Sequence, residues 1–183
     1  MRLIFLLVLL AAGPALAQGR ADPRKPDLDP LFAALKAAPD EQEAAALEAK
    51  IRQAWQQAGS PAVLLLINRG TRDLEQGDTD GALDTLNDAL VLAPDYAEAW
   101  LARALVKFHT GDTPGAIRDI QATLQREPRH FVALQTLSRI AEAQEDWKGA
   151  LAAWVKALEL DPRMPDGQDR LRMLRRKAAG EPA

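Results

Sequence analysis

The sequence predicts an all-α chain built as a solenoid of two-helix repeats, and three observations carry that expectation. Alanine, the strongest helix former, supplies 35 of 183 residues, while β-branched residues are few. The chain resembles itself at a period of 34 residues, with no insertion needed to hold the register. Aspartate, glycine and proline punctuate each period at fixed places.

The first element lies outside the fold. Arg2 precedes an apolar run from Leu3 to Ala12, a Gly13-Pro14 break and Ala15-Leu16-Ala17. This reads as a secretory signal peptide over residues 1–17, cut after Ala17 by the A-x-A rule. The apolar run is short of the ~20 residues a spanning helix needs, which disfavours a retained anchor. The alanine- and arginine-rich style points to a bacterium and so to the periplasm. Residues 18–26 are polar and proline-rich and read as a disordered leader.

Two helices are expected next, over 27–38 and 40–58. Asp40 with Glu43 makes a capping box, and Ala44, Leu47, Ile51, Trp55 and Ala58 form one apolar stripe. The pair lacks the repeat's signature columns, with Glu48 where a repeat would need alanine. It is therefore read as a diverged pair over 27–59 that closes the N-terminal end of the stack.

Three repeat units follow, 63–96, 97–130 and 131–164. Four columns are identical in all three: Asp78/Asp112/Asp146, Gly81/Gly115/Gly149, Ala82/Ala116/Ala150 and Pro94/Pro128/Pro162. Each unit holds a helix A (61–76, 95–110, 129–144) and a helix B (79–92, 113–126, 147–160). The aspartate N-caps helix B, and the proline closes it by denying its predecessor a helical conformation. Ser60-Pro61 marks the start of the first helix A, and Asp95 with Glu98 resembles a capping box for the second. Small residues at Gly70/Ala104/Ser138 and at the alanine column let paired helices approach closely. A last helix over 165–178, with Leu171, Leu174 and Ala178 on one face, caps the C-terminal end.

This pattern resembles the tetratricopeptide repeat (TPR) family, whose 34-residue units keep small residues at positions 8, 20 and 27 and proline at 32. Those positions are Gly70, Ala82, Ala89 and Pro94, then Ala104, Ala116, Thr123 and Pro128, then Ser138, Ala150, Ala157 and Pro162. Trp100 stands at the family's aromatic position 4, with Leu66 and Leu134 in the other units. The resemblance implies a right-handed α-solenoid with capping helices at both ends. Helix A departs from the family pattern, carrying Arg69 and Asp73, then Arg103 and Lys107, where apolar residues are usual. Arg103 is expected to pair with Asp119 on its own helix B.

The inventory for catalysis is poor. With no cysteine there is no disulfide, thiolate metal site, thiol nucleophile or lipidated cysteine. His109 and His130 lack partners at ligand spacing, and Ser60 and Ser138 both serve structure. The segment from Gly77 to Gly81 lacks the acidic ligands of a calcium loop. No phosphate-binding or dinucleotide motif occurs. A formal charge of −3 argues against nucleic acid as partner. No enzyme, cofactor or metal is expected.

What remains is a surface. The resemblance implies a concave face lined by helix A. Its candidate peptide-binding residues are Ile67, Thr71, Leu74, Glu98, Leu101, Leu105, Phe108, His109, Gln135 and Arg139. The second helix A is apolar on two sides, Trp100/Ala104 and Leu101/Leu105/Phe108, so one side is expected either between neighbours or against a ligand. The family's two-carboxylate clamp is absent, because its places hold Ile67, Thr71, Ala102, Val132 and Thr136. The reading is a periplasmic, non-catalytic TPR protein that binds another protein or peptide. Two rivals stand beside it: a self-associating solenoid without a free groove, and an assembly factor that meets anionic membrane through Arg170, Arg172, Arg175, Arg176 and Lys177. Against the last, cations at a helix C-terminus also serve a solvated cap.

The register itself is testable. Ala116→Leu should force the helices of the central unit apart at a cost of about 1–3 kcal/mol through overpacking. A thermal melt checks this, and an unchanged midpoint would contradict the register.

Overall fold

A computed structural model describes residues 27–180, so the signal segment and the leader lie outside the described residues. Among those residues the secondary structure is helical throughout: α1 Asp29–Ala37, α2 Glu41–Gln57, α3 Pro61–Glu75, α4 Thr79–Leu92, α5 Ala97–His109, α6 Thr113–Arg126, α7 Phe131–Ala143, α8 Trp147–Leu160 and α9 Gly167–Ala178. The pairs α3/α4, α5/α6 and α7/α8 are the three helix–turn–helix units, each stacked on the next, giving an all-α helical repeat fold.

Local chemistry explains the turns. Asp78, Asp112 and Asp146 accept the backbone N–H of Gly81, Gly115 and Gly149 at 3.0, 2.9 and 2.9 Å. A Cβ on any of those glycines would collide with the capping carboxylate, which is why the aspartate and glycine columns travel together. The turn before each cap passes through the left-handed region at Gly77 (φ 82°) and Gly111 (φ 84°). In the third unit Glu145 takes that conformation at φ 58°, at a cost glycine avoids.

One cap differs from expectation. Asp40 and Ser60 do cap α2 and α3, accepting from the N–H of Glu43 and Val63. The Asp95/Glu98 capping box does not form: α5 starts at Ala97 behind Tyr96, with no side-chain cap. The Glu98 carboxylate lies instead 3.3 Å from His130 Nε2, and the Tyr96 hydroxyl donates to the carbonyls of Trp55 and Gln56 at 3.2 and 3.3 Å.

The ion pair expected of helix A is present. Arg103 grips Asp119 through two bonds of 2.8 Å, and Lys107 reaches the same carboxylate at 2.8 Å. Burial pushes the Asp119 carboxyl up, but the hydrogen bonds and charges of Arg103 and Lys107 outweigh it and hold it below the usual range.

At the C-terminal end α9 packs on α8 as expected, with Leu171 and Leu174 buried against Trp154 and Leu158. At the N-terminal end the expectation needs correction. The α1–α2 hairpin does not close the first unit. It turns back along the loops between units and joins Phe32, Leu35, Ile51 and Trp55 to Phe131, Val132 and Leu160 of the third unit in one core. The Trp55 ring stacks on His130 with centroids 4.2 Å apart, Arg129 bonds Asp29 at 2.6 Å, and Arg163 Nε donates to the Ala38 carbonyl at 3.3 Å. The large aromatic face of Trp55 also packs on the Phe131 ring, with centroids 5.1 Å apart.

One contact of this hairpin titrates. Asp161, the C-cap of α8, is 1% exposed. Its Oδ2 meets no N–H donor. Burial, then the adjoining Glu48 carboxylate of α2, push its carboxyl up to about 7. The folded chain therefore keeps a proton that the unfolded chain releases near 3.8. Stability should fall as pH rises from about 4 to about 7 and level off above that window. Glu48→Gln should make this slope shallower, a result read from urea melts across the same pH range.

Candidate functional site

Helix A of each unit presents its free side to one face, and α5 sits at the centre of it. The candidate residues divide by burial. Leu101 is core rather than groove floor: it is 4% exposed and packs with Ala104, Ile120, Ala133 and Ile140 between the second and third units. Leu105 is 41% exposed, one of four large apolar side chains exposed among the described residues, with Leu65, Val91 and Leu92. Phe108, Ile67 and Leu74 are half-buried, each with one side on the core. Thr71, His109 and Arg139 are exposed. Gln135 is half-buried and donates to Met164 Sδ at 3.2 Å. Glu98 is engaged by His130. The accessible apolar floor is thus Leu105 with the edges of Ile67, Leu74 and Phe108, and Arg139 is the exposed cation among the candidates.

A second concavity, not foreseen from the repeat pattern, opens beside this face. A cavity of about 470 Å³ lies between the hairpin and the inter-unit loops, lined by Leu28, Trp55, Tyr96, Ala97, Arg126 and Arg129 among others. Burial and the Glu98 charge push the Tyr96 hydroxyl up, so it stays a hydrogen-bond donor at physiological pH. Nearby, the Trp100 ring is held between Arg103 and Arg126, at 5.0 and 4.6 Å, and its indole donates to the Pro94 carbonyl at 2.8 Å. Glu98 belongs to both places, lining the cavity and standing at the start of the α5 face.

Residues 67–130 and 110–166 match the family model described as tetratricopeptide repeat. A TPR repeat-containing protein of Rhizobium etli is 35% identical over 85% of this chain and 76% of its own length.

The chain belongs to the tetratricopeptide repeat family.

Solved TPR domains share the fold. The first TPR domain of Spaghetti (RPAP3), bound to the HSP90 peptide SRMEEVD, superposes with a TM-score of 0.60 at 21% identity, over 66% of this chain and 96% of that one. The Sgt2 TPR domain of Aspergillus fumigatus gives 0.60 at 24% identity over 68% and 87%. The TPR2B domain of yeast Sti1, in complex with an Hsp70 peptide, gives 0.57 at 20% identity over 66% and 98%.

The remaining TPR features fall into place. Val132 and Thr136, at clamp positions of the third unit, are turned to other uses: Val132 packs on the hairpin core, and the Thr136 hydroxyl donates to the Val132 carbonyl at 2.8 Å. On α9, Arg170 pairs with Glu142 and lies over the Trp154 ring, Arg172 pairs with Asp169, and Lys177 sits over Trp147. Arg175 and Arg176 are left exposed without an ion pair among the described residues. Those residues hold no group of three or more potential metal ligands, and no helix long and apolar enough to cross a membrane.

Proposed function

We propose that this TPR protein is a non-catalytic periplasmic adaptor that holds a segment of another protein against its concave face. The observation that carries the reading is Leu105, 41% exposed at the middle of the central helix A and flanked by the half-buried Phe108. Two of the structural neighbours are described in complex with a peptide, which supports a protein-interaction role. With the clamp residues replaced, affinity would come from apolar anchors, and Arg139 would favour an acidic neighbour on the partner. The signal-peptide pattern of residues 1–17 supports the location.

Two experiments test the reading. Leu105→Ser should abolish crosslinking to a partner in the native periplasm while far-UV helicity and melting temperature hold. Adding Phe108→Ser removes a side chain that also touches the core, and should lower stability by about 1–3 kcal/mol. Capture that survives the single change would refute a role for this face. For location, residues 1–17 fused to alkaline phosphatase should give periplasmic activity, and deletion of residues 3–12 should abolish it.

A further inference from the structure

We propose that the cavity between the α1–α2 hairpin and the inter-unit loops is a subsite for one large neutral apolar side chain, aromatic or branched aliphatic, of a partner polypeptide. The proposal rests on the reading of the chain as a binder of protein segments, and it adds a second anchor point outside the concave floor. Its volume of about 470 Å³ lies within the roughly 300–1,000 Å³ of pockets that bury small ligands. The walls include Leu28, Trp55, Ala58, Tyr96, Ala97 and Pro128, which are apolar or flat.

The charges at the rim select against an ion. Glu98 is met by His130, Glu127 by Arg129, and Arg126 by the carbonyls of Pro94 and Ala122 and the ring of Trp100. Those groups are engaged within the protein, and the remaining charged lining residue, Asp95, is exposed at the rim where water screens it, so a charged side chain entering here would lose water without gaining a buried counter-ion. A neutral apolar one loses nothing and gains the walls. Polar anchors for a peptide backbone are present as well. The N–H groups of Ala97 and Glu98 open a helix that has no side-chain cap, and such groups have no partner within the helix. The walls are also held in advance: Trp55 is stacked on His130, and Tyr96 is tied to the end of α2. A preformed pocket spares the ordering cost of binding.

Position gives the proposal its spacing. Glu98 and Leu105 lie on one helix, which rises about 1.5 Å per residue, so they stand roughly 10 Å apart along its axis. An extended chain covers that distance in about three residues. The partner segment would carry two apolar anchors about three residues apart, one over Leu105 and one in the cavity.

The test uses the full mature chain, ¹⁵N-labelled, titrated with N-acetyl-phenylalanine amide and, separately, with N-acetyl-lysine amide and N-acetyl-aspartate amide. The phenylalanine probe should give saturable shifts at the Trp55 indole and at the amides of Ala58, Ala97 and Glu98, and the charged probes should bind at least tenfold more weakly. Ala97→Trp, which fills the cavity, should weaken the phenylalanine probe tenfold or more with the melting temperature kept. If that variant does not fold, Ala58→Trp, on the exposed C-cap of α2, replaces it. Leu105→Ser should leave this titration unchanged, which separates the subsite from the concave floor. Shifts absent at these four positions, equal binding of the charged probes, or unweakened binding in the filled variant would each overturn the proposal.

Discussion

Everything in the stack depends on how closely helix A and helix B of one unit approach. The contact runs through buried Gly70, Ala104 and Ser138 on one side and fully buried Ala82, Ala116 and Ala150 on the other. A Cβ built on Gly70 would stand 2.8 Å from Leu86 Cγ, closer than real Cβ contacts come, and a tight 3.2 Å from the Ala82 carbonyl. Serine fits in the third unit because its hydroxyl donates to the Ala150 carbonyl at 3.0 Å, turning a close approach into a hydrogen bond. With that separation held, each unit offers the next the same surface, and the three A helices present their free sides together. A change at one pair is felt by its neighbours, since each unit is supported by the next.

With the hairpin lying elsewhere, the outer side of the first unit is left uncovered. At the third position of helix A, Ala99 and Ala133 are fully buried, whereas Leu65 is 66% exposed. At the tenth position Val106 and Ile140 are buried, and the first unit has the exposed Arg72. Arg72 keeps part of the place that would receive a preceding helix polar, while Leu65 stands bare beside it. The hairpin's apolar stripe has its partner in Phe131 and Leu160. Folding back ties residues 27–59 to the third unit and walls off the cavity on its way.

The repeat was legible because its constraints are local and recur. Asp78 and Gly81, or Gly70 and Ala82, are dictated by a cap or a contact within one unit, and three copies expose the rule. The Arg103–Asp119 pair was legible for the same reason: one residue of helix A faces one of its own helix B. The hairpin was not, since Trp55 lies 75 residues from His130 in the chain and nothing in an apolar stripe names its partner. The sequence leaves Leu101 open between core and groove because helical spacing puts it beside Leu105 and Phe108, while the neighbouring α7 decides which of them is covered. The Asp95/Glu98 capping pattern failed because a buried histidine competed for the glutamate.

The arrangement of α5 carries the functional argument one step further. Its charges point inward: Arg103 and Lys107 side chains are 17% and 19% exposed and converge on Asp119, and Arg103 also donates to Asn87 of the preceding unit at 2.7 Å. Buried ion pairs of this kind are poor sources of net stability, since desolvation offsets much of the attraction, but they specify which surfaces meet. Leu105, between them in sequence, is turned outward at 41% exposed. A lone exposed leucine is ordinary on any protein surface. A leucine outside while an arginine and a lysine on the same helix lie inside is a different matter, because burial alone would favour the exchange. The inversion is the pattern expected of a helix whose inward face sets the register between units and whose outward face is kept for an apolar contact with a partner.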